Sequence, residues 1–456
     1  MNVVISRREF IGGGVMAAAG ITVPGCISLQ EPLNATAPVP ILRKAGFRKP
    51  GEKIRMAFIG SGGRGGANLN EFLNLGEEIV ALCDVDRRIL DGAAKRVAKH
   101  YPKVHRYQDW RDMLEREKSL DAVVVSTPDH MHAACAIAAM ERGCHVYVEK
   151  PLVRTWWEAE RFREVAKKCG VVTQMGNNGN GMDGQRRNIE ILQSGVLGEV
   201  REIHVTTDRP IWPQGLDRPK GADTMPDTLD WNLWLGVAPW RPYNRAYMPF
   251  DWRGWWDYGS GAIGDMGCHT MDAAFWGLQL GAPESVSAEV VGGSEFSCPK
   301  GSIVTYTFPA RGKRPPVTLK WYDGCCKPER PAVLPEGEPM PGSGQLFTGT
   351  KGFIFCPGDY CDSARLLPKS LADSFKRPPK TLPRIVNGHY QNWLDGIRGV
   401  VDAPCSNFEH AVPLTEIALL GAVAVRARGS FKWDAAALKC DNPDAQRYIS
   451  KVYRMF

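Results

Sequence analysis

Apolar residues follow two regimes along the chain. Between residues 53 and 176, short unbroken apolar runs at 53–59, 78–83, 120–125, 145–148 and 171–175 alternate with stretches spaced like amphipathic helices. Such runs, bounded by turn residues, predict strands buried on both faces, and strands separated by helices predict a parallel sheet covered on each side. Helices are expected from about 67, over 90–100 and 133–142, and from a capping box at Thr155 and Glu158 through 168 to the closing Gly170. Beyond 177 the pattern changes. A helix over 185–194 gives way mainly to segments of strand character at 199–207, 284–291, 303–308, 317–321 and 352–356, with late helices near 389–398 and 414–427. Strands that dominate after a helix–strand repeat suggest a second, α+β domain.

The first apolar run breaks into Gly60-Ser61-Gly62-Gly63-Arg64-Gly65 just before the first helix. In that setting Gly60 permits the turn, Gly62 lets backbone approach a pyrophosphate, and Gly65 allows close helix–strand packing. Gly63 and Arg64 share the loop, and the helix N-terminus adds free N–H donors. The second strand ends at Asp84, whose carboxylate suits ribose hydroxyls and repels a 2′-phosphate, so NAD is the expected cofactor. Arg64, Arg87 and Arg88 keep NADP as the alternative. Ligands of open α/β sheets sit outside the strands' carboxyl ends. That rule adds Thr127, Asp129 and His132 after one buried run and Glu149 and Lys150 after the next.

Length and composition narrow the class. The 456 residues, 43% of them hydrophobic, support two packed cores. A net charge of +7 is spread over 57 basic and 50 acidic residues without a basic run, which gives nucleic-acid binding no support. Ser6-Arg7-Arg8-Glu9-Phe10, followed by a glycine- and alanine-rich apolar run to Val23, reads as a twin-arginine export signal over 1–26. The export machinery is then a partner, and the periplasm or exterior the expected location. Val23-Pro24-Gly25-Cys26 approximates a lipoprotein box, which leaves a lipid anchor at Cys26 as an open alternative, and the proline-containing 27–50 reads as a linker. No later segment reaches membrane length without charges. The thirteen cysteines are scattered, and the close groupings, Cys325-Cys326 and Cys356/Cys361, are read as small apolar fillers, so no metal site is expected.

The glycine loop, Asp84, Ser126-Thr127-Pro128-Asp129-His130-Met131-His132, Glu149-Lys150-Pro151-Leu152, Gln174-Met175-Gly176-Asn177-Asn178 and the run from Gly261 to Asp272 together resemble the Gfo/Idh/MocA family of nicotinamide-dependent sugar and cyclitol oxidoreductases. The resemblance implies an α/β fold with an N-terminal Rossmann domain, a doubly wound parallel sheet over 51–176. It also implies a second α+β domain over 177–456, built on a large open, mostly antiparallel sheet, and a homo-oligomer. It carries over Lys150, Asp265 and His269 as a catalytic trio, with Asn177 bordering the nicotinamide and Asp272 structural.

Oxidising a sugar hydroxyl requires a base for the oxygen-bound proton and a cation beside the developing alkoxide, roles that suit His269 and Lys150. If 265–275 is one helix, Asp265 and His269, four apart, share a face, so that the carboxylate orients the imidazole or binds a substrate hydroxyl. Tryptophans between Trp212 and Trp276, with Asp208, Arg209 and Arg245, are candidates for sugar contacts, and His389 is the C-terminal residue to test. The expected function is hydride transfer between a secondary hydroxyl of a sugar, glycoside or cyclitol and a tightly held NAD, in an exported enzyme. An NAD-dependent redox glycosidase and a non-catalytic sugar or dinucleotide sensor are the alternatives.

Overall fold

The computed structural model describes residues 41–456, so the expected export signal, Cys26 and the first part of the linker lie outside the described residues. The first sheet is built from β1 (Arg55–Ile59), α1 (Gly63–Asn74), β2 (Glu78–Cys83), α2 (Arg87–Val97), β3 (His105–Tyr107), α3 (Trp110–Arg116), β4 (Ala122–Val125), α4 (Asp129–Glu141), β5 (His145–Val148), α5 (Trp156–Cys169) and β6 (Thr173–Met175). Its order is β3-β2-β1-β4-β5-β6, and every pair is parallel. The apolar runs are strands because both faces are covered: all residues of β4 and β5 are buried. β3 carries no such run, being a short edge strand of exposed and half-exposed residues, and the sequence pattern does not reveal it. The capping box at Thr155 and Glu158 starts α5 as expected. Strand order reverses between β1 and β4, which opens a crevice at their carboxyl ends.

The chain continues through α6 (Asp183–Gln193), β7 (Val200–Thr206), α7 (Trp231–Leu235), α8 (Gly261–Thr270), α9 (Asp272–Leu278), β8 (Ser285–Val291), β9 (Gly301–Phe308), β10 (Val317–Gly324), β11 (Gly344–Gly349), β12 (Gly352–Pro357), β13 (Arg365–Leu367), α10 (Lys369–Ser374), α11 (Gly388–Ile397), α12 (Phe408–Ala427), β14 (Ser430–Asp434) and β15 (Lys439–Cys440). These strands form a nine-stranded sheet ordered β13-β12-β11-β7-β10-β9-β8-β14-β15. All its pairs are antiparallel except β7 with β10. α12 is long and apolar enough by composition to cross a membrane, but 78% of its apolar window is buried, and it packs against α5, α8 and the second sheet.

Four local features depart from the sequence reading. The expected single helix over 265–275 is two, α8 and α9, separated at Met271. The break puts Asp272 in the first turn of α9, where a carboxylate complements the helix dipole. Cys356 and Cys361 form a disulfide instead of acting as separate fillers, because the turn after β12 brings their Cα atoms to 5.0 Å. The second sheet also gains β11, β13, β14 and β15. Finally, a division of the chain at 177 is incomplete: Trp393, Leu394 and Ile397 of α11 pack into the first domain's core with Phe72 and Tyr147, since the amphipathic helix finds its apolar partners there.

Candidate active site

A cleft of about 930 Å³ runs from the crevice between β1 and β4 to the face of α8 that carries Asp265, Met266 and His269. Its floor at one end is bare backbone. A Cβ on Gly60, whose φ is +85°, would sit 2.7 Å from the Ser126 carbonyl oxygen, and one on Gly65 would sit 2.1 Å from the Gly60 carbonyl oxygen. No larger residue fits either place. α1 begins here without a side-chain cap and without an acidic residue in its first turn, so its N–H groups are free for an anion.

Asp84 lines the same cleft at the end of β2, and its carboxylate accepts from the backbone N–H of Ser61 (2.8 Å) and of Asp86 (3.1 Å). Burial raises its pKa, against the lowering effect of those donors. The nearby arginines are engaged: Arg87 donates to the Asp227 carbonyl, Arg88 pairs with Asp86, and Arg64 pairs with Glu149 at 2.9 Å. With Asp84 in the cleft just past the carboxyl end of β2 and each arginine paired, the residues fit NAD better than its 2′-phosphorylated form.

The remaining expected residues fall into two groups. Gly62, Gly63, Arg64, Thr127, Asp129, His132, Glu149, Lys150, Asp265 and His269 all border this cleft. Within it, His132 lies between two backbone carbonyls, with Nδ1 2.8 Å from that of Pro151 and Nε2 2.9 Å from that of Thr127, and the nitrogen that carries the proton donates to one of them. Glu149 takes Arg64 and Asn68, and Asp129 accepts from Ser260 Oγ at 3.2 Å. Asn177 lies one layer deeper, fully buried. Of the sugar-contact candidates, Arg209, Trp212, Trp234 and Trp252 reach the cleft. Asp208 pairs with Arg209, and Arg245 pairs with Asp223. His389 is held by the Met175 carbonyl at 2.9 Å.

At the α8 end the chemistry converges. Lys150 Nζ donates to Asp265 Oδ1 at 2.7 Å and to the Asp265 carbonyl at 2.8 Å. Burial alone would raise the Asp265 pKa, but Lys150 and Arg253 bring it below the ordinary value, so the carboxylate stays ionised. The expectation that Asp265 orients His269 is corrected here. His269 Nδ1 meets Asn177 Oδ1 at 2.8 Å, while Asp265 is taken by Lys150 and by Arg253 at 3.4 Å. Burial lowers the His269 pKa to about 3, and the Lys150 charge adds to the shift, which leaves a neutral imidazole. Two residues escaped sequence reasoning. Arg253 stacks on Trp252 at 4.2 Å, and Tyr360, carried by the disulfide-closed turn, sets its ring edge-on to His269 at 5.2 Å. A cation within an aromatic run is the only signal that marks Arg253 in advance.

Residues 54–177 match the family model described as the oxidoreductase family, NAD-binding Rossmann fold, and residues 190–302 match the C-terminal α/β domain model of the same family. The chain carries both domains of the Gfo/Idh/MocA oxidoreductase family. Its first domain is thus an NAD-binding Rossmann domain. Among curated proteins, it is similar to a glycosyl hydrolase family 109 protein of Shewanella pealeana, 32% identical over 208 residues. That match spans 43% of this chain and 44% of the relative, less than half of either. Among solved structures it is similar in fold to the WlbA dehydrogenase from Bordetella pertussis in complex with NADH and UDP-GlcNAcA, with a TM-score of 0.59, 20% identity, and coverage of 84% of this chain and 99% of that one. The aldose-aldose oxidoreductase from Caulobacter crescentus complexed with glycerol gives a TM-score of 0.55 at 18% identity, covering 84% of this Gfo/Idh/MocA-type chain and 100% of that one.

Proposed function

We propose that the protein is an exported oxidoreductase that moves hydride between a secondary hydroxyl of a sugar, glycoside or cyclitol and an NAD held in the cleft. The observation that carries this reading is the placement of Lys150, Asp265 and His269 on the same cleft as the Gly60 turn and Asp84. Bound NAD supplies a hydride acceptor and donor. The chain's own residues handle the proton and the charge. His269, neutral because burial lowers its pKa to about 3, accepts the hydroxyl proton at Nε2, the nitrogen not engaged by Asn177. Lys150 spends two hydrogen bonds on Asp265, which leaves its third N–H for the substrate oxygen as alkoxide charge develops. Asp265 fixes the direction of that N–H. Arg253 and the aromatic rings around it form a wall against which the apolar face of a pyranose packs.

A second reading is a redox glycosidase, in which oxidation beside the anomeric centre acidifies a neighbouring C–H, the aglycone leaves, water adds and the hydride returns. The likeness to glycosyl hydrolase family 109 proteins favours it. Both readings regenerate the cofactor within each cycle, the first by reducing a second sugar with the hydride taken from the first and the second by returning the hydride, which agrees with the Ser6-Arg7-Arg8 motif, since the twin-arginine route carries folded proteins. Denaturing the purified full chain and assaying released NAD(H), then screening glycosides for keto-sugar against free-sugar products, separates the two. Keto-sugar products support the first reading and free sugar the second; no nucleotide and no turnover would overturn both.

A further inference from the structure

Behind His269 a second set of polar residues, none of them at the cleft wall, forms a closed chain. Asp272 is fully buried, and its Oδ2 accepts from Asn177 Nδ2 at 3.0 Å and from Asn180 Nδ2 at 3.1 Å, while Oδ1 meets His410 Nε2 at 2.7 Å. His410 Nε2 also lies 3.0 Å from Asn180 Nδ2, and the sense of the bonds at Asn177 follows from elementary chemistry. A carboxylate oxygen shared by two amide nitrogens accepts from both, so Asn177 turns its NH₂ toward Asp272 and its carbonyl toward His269. A carbonyl only accepts, so His269 Nδ1 must carry the proton, at 2.8 Å from Asn177 Oδ1. The lone pair is thereby placed on Nε2. Arg186 holds the neighbouring amide in the same sense, donating to Asn180 Oδ1 at 3.4 Å and to its backbone carbonyl at 3.0 Å. At the far end, His410 sits edge-on to Phe275 and Trp276, with ring centroids at 5.6 and 5.4 Å.

We infer that Asp272 and His410 are positioning residues that act through the Asn177 amide to lock His269 in its Nδ1–H tautomer. The inference rests on the reading of His269 as the proton acceptor, but it concerns the resting protein and needs no turnover to be tested. Asp272 is therefore more than a structural filler of the α8–α9 break. Its carboxylate decides which ring nitrogen of a residue two hydrogen bonds away can take a proton. Among the described residues, the Asn177 carbonyl is the acceptor the structure gives to His269 Nδ1.

The decisive experiment is nitrogen NMR of histidine side chains in the full, nucleotide-loaded protein, with His269 and His410 assigned by the signals lost in His269→Gln and His410→Gln. In the wild type, His269 should show a protonated Nδ1 and an unprotonated Nε2. Asp272→Ala frees the amide, so the two His269 nitrogen shifts should converge as an Nε2–H population appears, and kcat should fall by about a hundredfold with KM changed little. Asp272→Asn is the conservative rescue. Its carbonyl can still receive Asn177 and Asn180 while its NH₂ faces His410. It should therefore keep the His269 tautomer and most of kcat, while His410 inverts to an unprotonated Nε2. A wild-type His269 protonated at Nε2, or one that stays Nδ1–H in Asp272→Ala, overturns the inference. If Asp272→Ala does not fold, an Asp272→Asn protein in which His410 keeps Nε2–H while His269 nonetheless stays Nδ1–H does so. Absence of turnover in a wild type that shows the expected tautomer would instead overturn the proposed oxidoreductase and leave the positioning chain standing.

Discussion

Lys150 and His269 are both polar groups at a buried end of the cleft, yet they answer to different constraints. The ammonium is fixed by two acceptors on one residue, so replacing it removes charge without disturbing backbone elsewhere. Lys150→Met should keep NAD bound while lowering kcat by about a hundredfold to ten-thousandfold, read by turnover normalised to released nucleotide. His269 is held neutral by burial with a pKa of about 3. Its role as a base therefore calls for no loss of kcat/KM between pH 7 and pH 5, and a steep acid limb near pH 6 in the free enzyme would contradict that assignment. Lys150 and His269 could be picked from the sequence because each stands in a discriminating local pattern. The partner of His269 could not, since Asn177 and His269 are 92 positions apart and meet only after both domains have folded. The four-residue spacing of Asp265 and His269 is real, but three cations compete for that carboxylate, at 2.7, 3.4 and 3.9 Å.

At the scale of elements, the cofactor end depends on a strand, a turn and a helix that approach one another without side chains between them. Gly65→Ala would place a methyl group 2.1 Å from the Gly60 carbonyl, and backbone cannot yield as a side-chain tip can. It should cost about 1–3 kcal/mol of stability and at least tenfold in retained NAD, read by thermal unfolding and by nucleotide release. This strand–turn–helix unit was legible because burial on both faces leaves an unbroken apolar run, as in β4. Elements lacking that constraint were not. β3 is an exposed edge with nothing apolar to bury, and β14 alternates over only five residues with exposed positions between buried ones. The α8–α9 break was hidden because residues on both sides of Met271 are buried and apolar enough to continue a helix.

For the whole molecule, the two sheets are not independent bodies joined at one point. α11 returns to the first core, and Tyr390 on it donates to Asn68 Oδ1 at 2.9 Å, while Arg64 of the glycine loop reaches the Tyr390 hydroxyl at 3.2 Å. Trp393→Ala should therefore lower unfolding stability by about 3–5 kcal/mol and weaken NAD retention, although the residue lies in the last quarter of the chain. Burial of neutral histidines has a further global effect. Burial lowers His130 and His269 to about 3 and His145 and His389 to about 4, from an unfolded value of 6.5. A depressed folded pKa means that the unfolded chain binds more protons in between. This contribution is complete above about pH 6.5 and is lost as pH falls toward 3–4. Denaturant unfolding should accordingly show stability falling between pH 6.5 and pH 4, and constancy across that window would contradict the burial of these rings.

The central claim is that Lys150 and His269 act on a substrate hydroxyl beside nicotinamide within one cleft. It is tested most directly by rapid mixing of the NAD-loaded protein with glycosides while the absorbance of reduced nicotinamide is followed, in the wild type and in Lys150→Met and His269→Gln loaded to the same extent. A single-turnover rise is expected in the wild type, slowed at least a hundredfold in both variants. Equal rates in all three would contradict it.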